Sequence, residues 1–254
     1  MADASLPPSR QVDDSILVLR AGDAVPQVAE VHGEFLAWIT RAAGDAWTGK
    51  WVEHDLRSDD SFPDCESVAA IVITGSISSV TERAPWMLRA EAYIRDVIRA
   101  ETPLLGICFG HQLMAQALGG DVKRNPRGRE IGTVEVTRYL DDPLFDGLPH
   151  ELHVNSSHVD TVVSLPPGAT VIAASRLEAH AALSFGRVAR GVQFHPEIDG
   201  GVMRGYIEVR RPCLVDEGLD AEAILRDAAE TPHARELLRN FIRYFVTSKA
   251  RRAA

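Results

Sequence analysis

Two stretches of this 254-residue chain combine residue types that could carry out covalent chemistry. The first, Pro103 to Gly120, reads PLLGICFGHQLMAQALGG. A short apolar run (Leu104, Leu105, Ile107) leads into Cys108 between Gly106 and Gly110, and Leu113, Met114, Ala117 and Leu118 then follow at helical spacing. The pattern predicts a strand, a sharp turn and a helix that Gly119 and Gly120 close. Glycines two residues to either side are what a nucleophile elbow needs, because side chains there would collide with backbone where the strand turns into the helix. The free N–H groups and positive dipole end of that helix would favour thiolate over thiol at Cys108. A small buried core cysteine after an apolar strand has the same local appearance, so G-x-C-x-G does not decide the matter alone.

The second stretch, ARGVQFHPE, ends in Phe194-His195-Pro196-Glu197. In an extended chain residues i and i+2 project to one side, roughly 6.5–7 Å apart. His195 and Glu197 can then face one site, with Pro196 restricting the backbone between them. A carboxylate beside an imidazole fixes its tautomer and stabilises the imidazolium, which is the third member that a Cys-His pair requires. His111, three residues after Cys108, is the rival base and ranks second because no carboxylate neighbours it in sequence. A metal site from His153, His158, His195 and Glu197 is weaker still, since those residues lack the compact spacing of zinc hydrolases.

The elements that must position these groups alternate through the first half. Ser15 to Leu19 reads as a buried strand, Val25 to Ala43 as a helix, Trp51 to His54 as a strand and Val68 to Thr74 as a run buried on both faces of a parallel sheet. Gly75-Ser76-Ile77-Ser78-Ser79 follows; it lacks the lysine and spacing of a phosphate loop. Trp86 to Ala100 reads as a helix. The expected fold is therefore α/β: a doubly wound, mostly parallel, flavodoxin-like sheet flanked by helices, with ligand sites beyond the carboxyl ends of the strands. Both Gly75 and Cys108 fall at such ends. In the second half, short β-type segments (Thr133–Thr137, Glu151–Val154, Thr161–Val163, Thr170–Ala174, Ala181–Phe185, Gly191–Phe194) suggest added antiparallel strands. Ala221–Ala229 and His233–Thr247 read as closing helices. Residues 1–14 are expected to be a loose tail and 15–254 a single domain, since no linker divides them.

Composition narrows the function classes. The net charge of −9 gives no reason to expect nucleic acid. No apolar run reaches the length of a membrane span, and the proline-containing N-terminus lacks the apolar segment of a signal peptide. Cys65, Cys108 and Cys213 are odd in number and widely spaced, which argues against a disulfide framework or a paired-cysteine zinc site. A reducing, cytoplasmic setting is expected.

Taken together, GICFGHQ at 106–112 and GVQFHPE at 191–197 resemble the class I, or triad, glutamine amidotransferase family, and within it the glutaminase domain of GMP synthases. The similarity runs from about Val68 to Glu197. It implies Cys108 as nucleophile, His195 as general base and acid, and Glu197 as the orienting carboxylate. It also implies an oxyanion hole from the backbone N–H groups of Ser76 and Phe109. Gly75, Gln112 and the segment Ser157-His158-Val159-Asp160 would hold the amino acid end of glutamine. The loop reads TGSISSV where synthetase-linked members commonly carry Gly-Gly-Pro, and SHVD stands where SHGD is more usual. The implied reaction gives glutamate and ammonia through a γ-glutamyl thioester and needs no metal or cofactor. The chain after Glu197 is expected to be too short for a synthetase domain, so ammonia would pass to an acceptor on a separate synthetase. Two alternatives stand beside this one: a stand-alone γ-glutamyl peptidase using the same triad, and a non-catalytic binding or regulatory protein on the same scaffold.

Overall fold

The computed structural model describes residues 13–246. Its first half runs β1 (Asp13–Arg20), α1 (Pro26–His32), α2 (Phe35–Ala43), β2 (Lys50–Asp55), β3 (Val68–Ile73), α3 (Pro85–Arg99), β4 (Leu104–Ile107) and α4 (Phe109–Ala117). The second half runs β5 (Asp121–Arg124), β6 (Glu130–Arg138), β7 (Glu151–His158), β8 (Asp160–Ser164), β9 (Thr170–Ser175), β10 (Ala182–Ser184), β11 (Ala189–Val192), α5 (Gly200–Asp216), α6 (Ala221–Asp227) and α7 (Pro232–Phe241).

One nine-stranded sheet has the order β2-β1-β3-β4-β11-β10-β9-β6-β7, and β5 pairs with β8 in a separate ribbon. The strands β2, β1, β3, β4 and β11 are parallel neighbours, and the pairs from β11 onward to β7 are antiparallel. Alternation along β1 explains why helices must cover both faces. Ile16 and Val18 pack with α2 and α7 in one core, while Leu17 and Leu19 pack with α3 and α4 in the other. A third core joins α1, α2, α5 and α6 through Val28, Trp38, Met203, Tyr206 and Ile207. Among the described residues no helix is long and apolar enough to cross a membrane.

Several boundaries differ from expectation for identifiable reasons. The strand β1 begins at Asp13, so Asp13 and Asp14 belong to the sheet; residues 1–12 of the expected tail lie outside the described residues. The single helix expected over Val25–Ala43 is two, broken where Gly33 adopts φ 81°. The break is held by Glu34, whose Oε2 accepts from the Ala24 N–H at 2.9 Å, and by the Trp38 indole N–H, which donates to the His32 carbonyl at 2.8 Å. The strand β5 was not expected, and neither was α5. Gly200, Gly201, Gly205 and Pro212 interrupt the α5 sequence and mask its apolar positions.

Candidate active site

The strand β4 ends at Ile107, and Cys108 turns the chain into α4 with φ 50° and ψ −101°. A positive φ at a non-glycine residue costs roughly 1–3 kcal/mol and persists only where surrounding structure enforces it. Here the enforcement is visible. A Cβ on Gly106 would stand 2.6 Å from the Gly110 backbone, and one on Gly110 would stand 2.6 Å from the Ile73 carbonyl oxygen. Both glycines of the G-x-C-x-G pattern are therefore required by close backbone approach, as the sequence suggests. The Phe109 N–H, at the first position of α4, is one of the four that a helix leaves without an intrahelical acceptor.

His195 and Glu197 are placed differently from the extended arrangement expected of them. The strand β11 stops at Val192, and a turn follows in which the Ile198 N–H reaches the His195 carbonyl at 3.4 Å. The two side chains meet nonetheless: His195 Nδ1–H donates to Glu197 Oε1 at 2.7 Å. Asn155 on β7, wholly buried, fixes this turn. Its carbonyl accepts from the His195 N–H at 2.8 Å, and its Nδ2 donates to the Ile198 carbonyl at 3.0 Å and the Ala229 carbonyl at 3.3 Å. Its Oδ1 accepts from Thr133 Oγ1 at 2.8 Å. Truncating Asn155 to Ala keeps the backbone bond to the His195 N–H but removes the amide from Thr133 Oγ1 and the Ile198 carbonyl, so a stability loss of about 1–3 kcal/mol is expected, read from the urea midpoint at unchanged slope.

Electrostatics favour an ion pair between Cys108 and His195. Burial works against a charged Cys108, yet the imidazolium of His195, through its charge and a hydrogen bond, outweighs burial and holds the thiol below its usual range, with a smaller push from His158. Burial would likewise depress His195, but the charges of Glu197 and Cys108 reverse this and push its pKa up to about 10. The rival base behaves oppositely. Burial holds His111 down to about 3, and its ring lies edge-on to Phe185 at 6.1 Å. His111 is thus a neutral core residue. The weaker metal arrangement also fails to form, because His153 is exposed on β7 while His195 is buried. Among the described residues no three His, Cys, Asp or Glu are grouped to hold a metal ion.

A cavity of about 350 Å³ opens over the thiol, lined by Ser76, Ile77, Ser78, Ser79, Cys108, Phe109, Gln112, Arg124, Arg129, Ser157, His158, Val159, Asp160 and Arg210. Every residue expected to bind substrate lines it except Gly75, which lies against the imidazole: a Cβ there would stand 2.9 Å from His195 Cε1. Gly75→Ala is therefore expected to displace His195 and lower kcat/KM by about 10²-fold in steady-state assays.

Two of the expected contacts are otherwise engaged. Gln112 Nε2 donates to the Asp160 carbonyl at 2.9 Å and to Gln193 Oε1 at 3.0 Å. Gln193 in turn aims its Nε2 at the Cys108 sulfur at 3.5 Å. His158 donates from Nδ1 to the Asp160 carbonyl at 3.0 Å and from Nε2 to Glu130 Oε2 at 3.2 Å. Both partners can only accept, so the buried ring carries two protons, in keeping with a pKa that Glu130 raises against burial. His158 is a fixed cation near the sulfur, and its ring nitrogens are not free for substrate. Glu130, Asn155, Gln193 and Arg210 are additions that the sequence did not single out. The position of Gln193, two residues before His195, was the available signal for one of them.

The family profile described as glutamine amidotransferase class-I matches residues 39–208. The chain belongs to that family. Among relatives of this chain, the glutamine-hydrolysing GMP synthase of Thermosipho africanus is 41% identical over 133 residues, which is 51% of the chain but 24% of the relative. A component of the glutamine-hydrolysing GMP synthase of Saccharolobus solfataricus, named there as a subunit, is 38% identical over 133 residues, 50% of the chain and 66% of the relative. The chain thus spans about a quarter of the first relative's length. A crystal structure of a Thermotoga maritima glutamine amidotransferase superposes with a TM-score of 0.74 at 27% identity, covering 91% of this chain and 97% of the other.

Proposed function

We propose that the chain hydrolyses the side-chain amide of glutamine through a γ-glutamyl thioester on Cys108, releasing ammonia for an acceptor on a separate synthetase. The observation that carries this reading is the thiol lining a cavity beside His195, whose Nδ1 is held 2.7 Å from Glu197. The thiolate sulfur attacks the amide carbon, and the oxyanion that forms is held by the N–H groups of Ser76 and Phe109. The C–N bond breaks as His195 gives its proton to nitrogen, and ammonia leaves. Water then attacks the thioester with His195 taking its proton, and the C–S bond breaks to give glutamate and regenerate the thiolate. The Saccharolobus relative is named as one subunit of its enzyme, which supports a separate acceptor. The same reading takes the chain from residue 15 onward as one domain, supported by the tie that Asn155 makes between the His195 turn and Ala229.

A specific feature favours the second reading, a γ-glutamyl peptidase that works alone. The loop after β3 is pinned in place without a partner. Thr74 Oγ1–H donates to the Gly75 carbonyl at 2.9 Å, and the Ser78 N–H donates to Ser76 Oγ at 3.1 Å. The Ser79 side chain and Glu82 form a reciprocal cap on the next turn. Assaying the purified chain on glutamine and on γ-glutamyl dipeptides, without ATP and with ammonia and glutamate both quantified, separates the readings. Glutamine turnover alone or on adding a synthetase-containing fraction supports the amidotransferase; dipeptide turnover supports the peptidase. Absence of both, with and without the fraction, overturns the enzymatic reading.

A further inference from the structure

Three arginines line the cavity over Cys108: Arg124, Arg129 and Arg210. Two of them share a counter-ion. Arg129 grips Glu217 through two bonds of 2.8 and 2.9 Å, and Arg124 lies 3.8 Å from the same carboxylate. Arg210 has none. Its Nη1 is cut off from solvent with no hydrogen-bond partner, and no carboxylate among the described residues pairs with it. The side chain is nevertheless fixed in position, because its guanidinium lies 4.6 Å over the ring of Tyr206, one turn earlier on α5. Tyr206 is itself held edge-on against the buried Trp38 at 6.2 Å.

A desolvated cation without an anion is costly, and a protein tolerates one chiefly where something else supplies the negative charge. A planar guanidinium on a rigid aromatic platform is shaped to take a carboxylate in two parallel hydrogen bonds. Asp160 lies on the lining of the same cavity and offers the complementary charge for an ammonium group. On the reading that the chain acts on γ-glutamyl amides, we infer that Arg210 anchors a substrate carboxylate and so determines specificity for anionic substrates. This residue lies beyond the stretch 39–208 that matches the family, on a helix outside the two sequence motifs. The carboxylate has two possible sources: the α-carboxylate of the glutamyl half, or a second one on the amine half of a γ-glutamyl peptide.

The test compares Arg210→Met, which keeps an unbranched apolar chain without the charge, with Arg210→Lys, which keeps the charge. Substrates are glutamine and its α-amide, and γ-glutamylglycine and γ-glutamylmethylamide. If the α-carboxylate is the partner, Arg210→Met raises KM for glutamine about ten- to a hundredfold, changes kcat much less and leaves the α-amide unaffected. If the second carboxylate is the partner, the rise appears with γ-glutamylglycine and not with γ-glutamylmethylamide or glutamine. Arg210→Lys recovers part of the loss in either case. Equal effects on substrates with and without the carboxylate, or no effect at an unchanged thermal midpoint, overturn the inference. Calorimetric binding of L-glutamate and γ-glutamylglycine to wild type and Arg210→Met keeps the outcome separate from hydrolysis. Weaker binding to the variant supports the anchor even if nothing is turned over, and absence of binding to wild type overturns it.

Discussion

Cys108→Ala is expected to remove amide hydrolysis while leaving the chain folded. Loss of the nucleophile from a triad costs on the order of 10⁶ in kcat, and neither remaining member can form the thioester. The structural cost is modest even though the elbow is buried. Cys108 is only 5% exposed and packs with Leu105, Ile107, Val192 and Phe194. Only the sulfur is lost, so a destabilisation of about 1 kcal/mol is expected, and the fold retains the glycine contacts that enforce the elbow. Intact-mass spectrometry with a glutamine-like electrophile gives the check: one adduct on wild type and none on the variant. Burial and the neighbouring Asp64 push the Cys65 thiol up, making it a poor competitor. Labelling at Cys65 or Cys213 in place of Cys108 would sink the assignment of the nucleophile.

Glu197→Gln is expected to lower kcat/KM by about 10³–10⁴-fold without abolishing it. The amide can still meet His195 Nδ1, but it cannot stabilise the imidazolium, and Glu197 is buried where its charge acts through little solvent. The pH profile carries a separate signature. In the wild type His195 keeps its proton up to about 10, so kcat/KM should hold on the alkaline side and fall as pH rises through that value. The limb belongs to the Cys108–His195 pair and not to one residue. Removing the carboxylate withdraws an attraction that raises the His195 pKa, so the alkaline limb should move to lower pH. A variant with wild-type rate and an unmoved limb would make Glu197 a packing residue and the site a dyad.

What the sequence discloses follows from where the constraints are local. The Cys108 elbow is legible because its glycines, strand and helix are contiguous, and the parallel part of the sheet follows from apolar runs alternating with amphipathic helices. Glu197 is legible beside His195, although a turn, not an extended strand, brings them together. The polar groups behind the site are not. Gln193, Asn155 and Glu130 look like any polar residues in a β segment until the fold buries them against Gln112, Ile198 and His158. Arg210 is hidden for a further reason: it sits on a helix whose glycines and proline contradict helical propensity, and tertiary packing against α1 overrides that preference.

The amide of Asn155 joins chain segments that are remote in sequence: Thr133 on β6, the turn after His195, and the link between α6 and α7 at Ala229. Native proteins open locally at free energies below that of global unfolding. Undocking of the α6–α7 link removes one of the acceptors that orient the amide and loosens the turn that aims the imidazole. On the proposed function, aiming of the imidazole and seating of α6 and α7 therefore share one equilibrium. The working population would then be the seated fraction, so proteolytic nicking near residue 229 is expected to reduce turnover by changing that fraction, while every group at the sulfur keeps its identity.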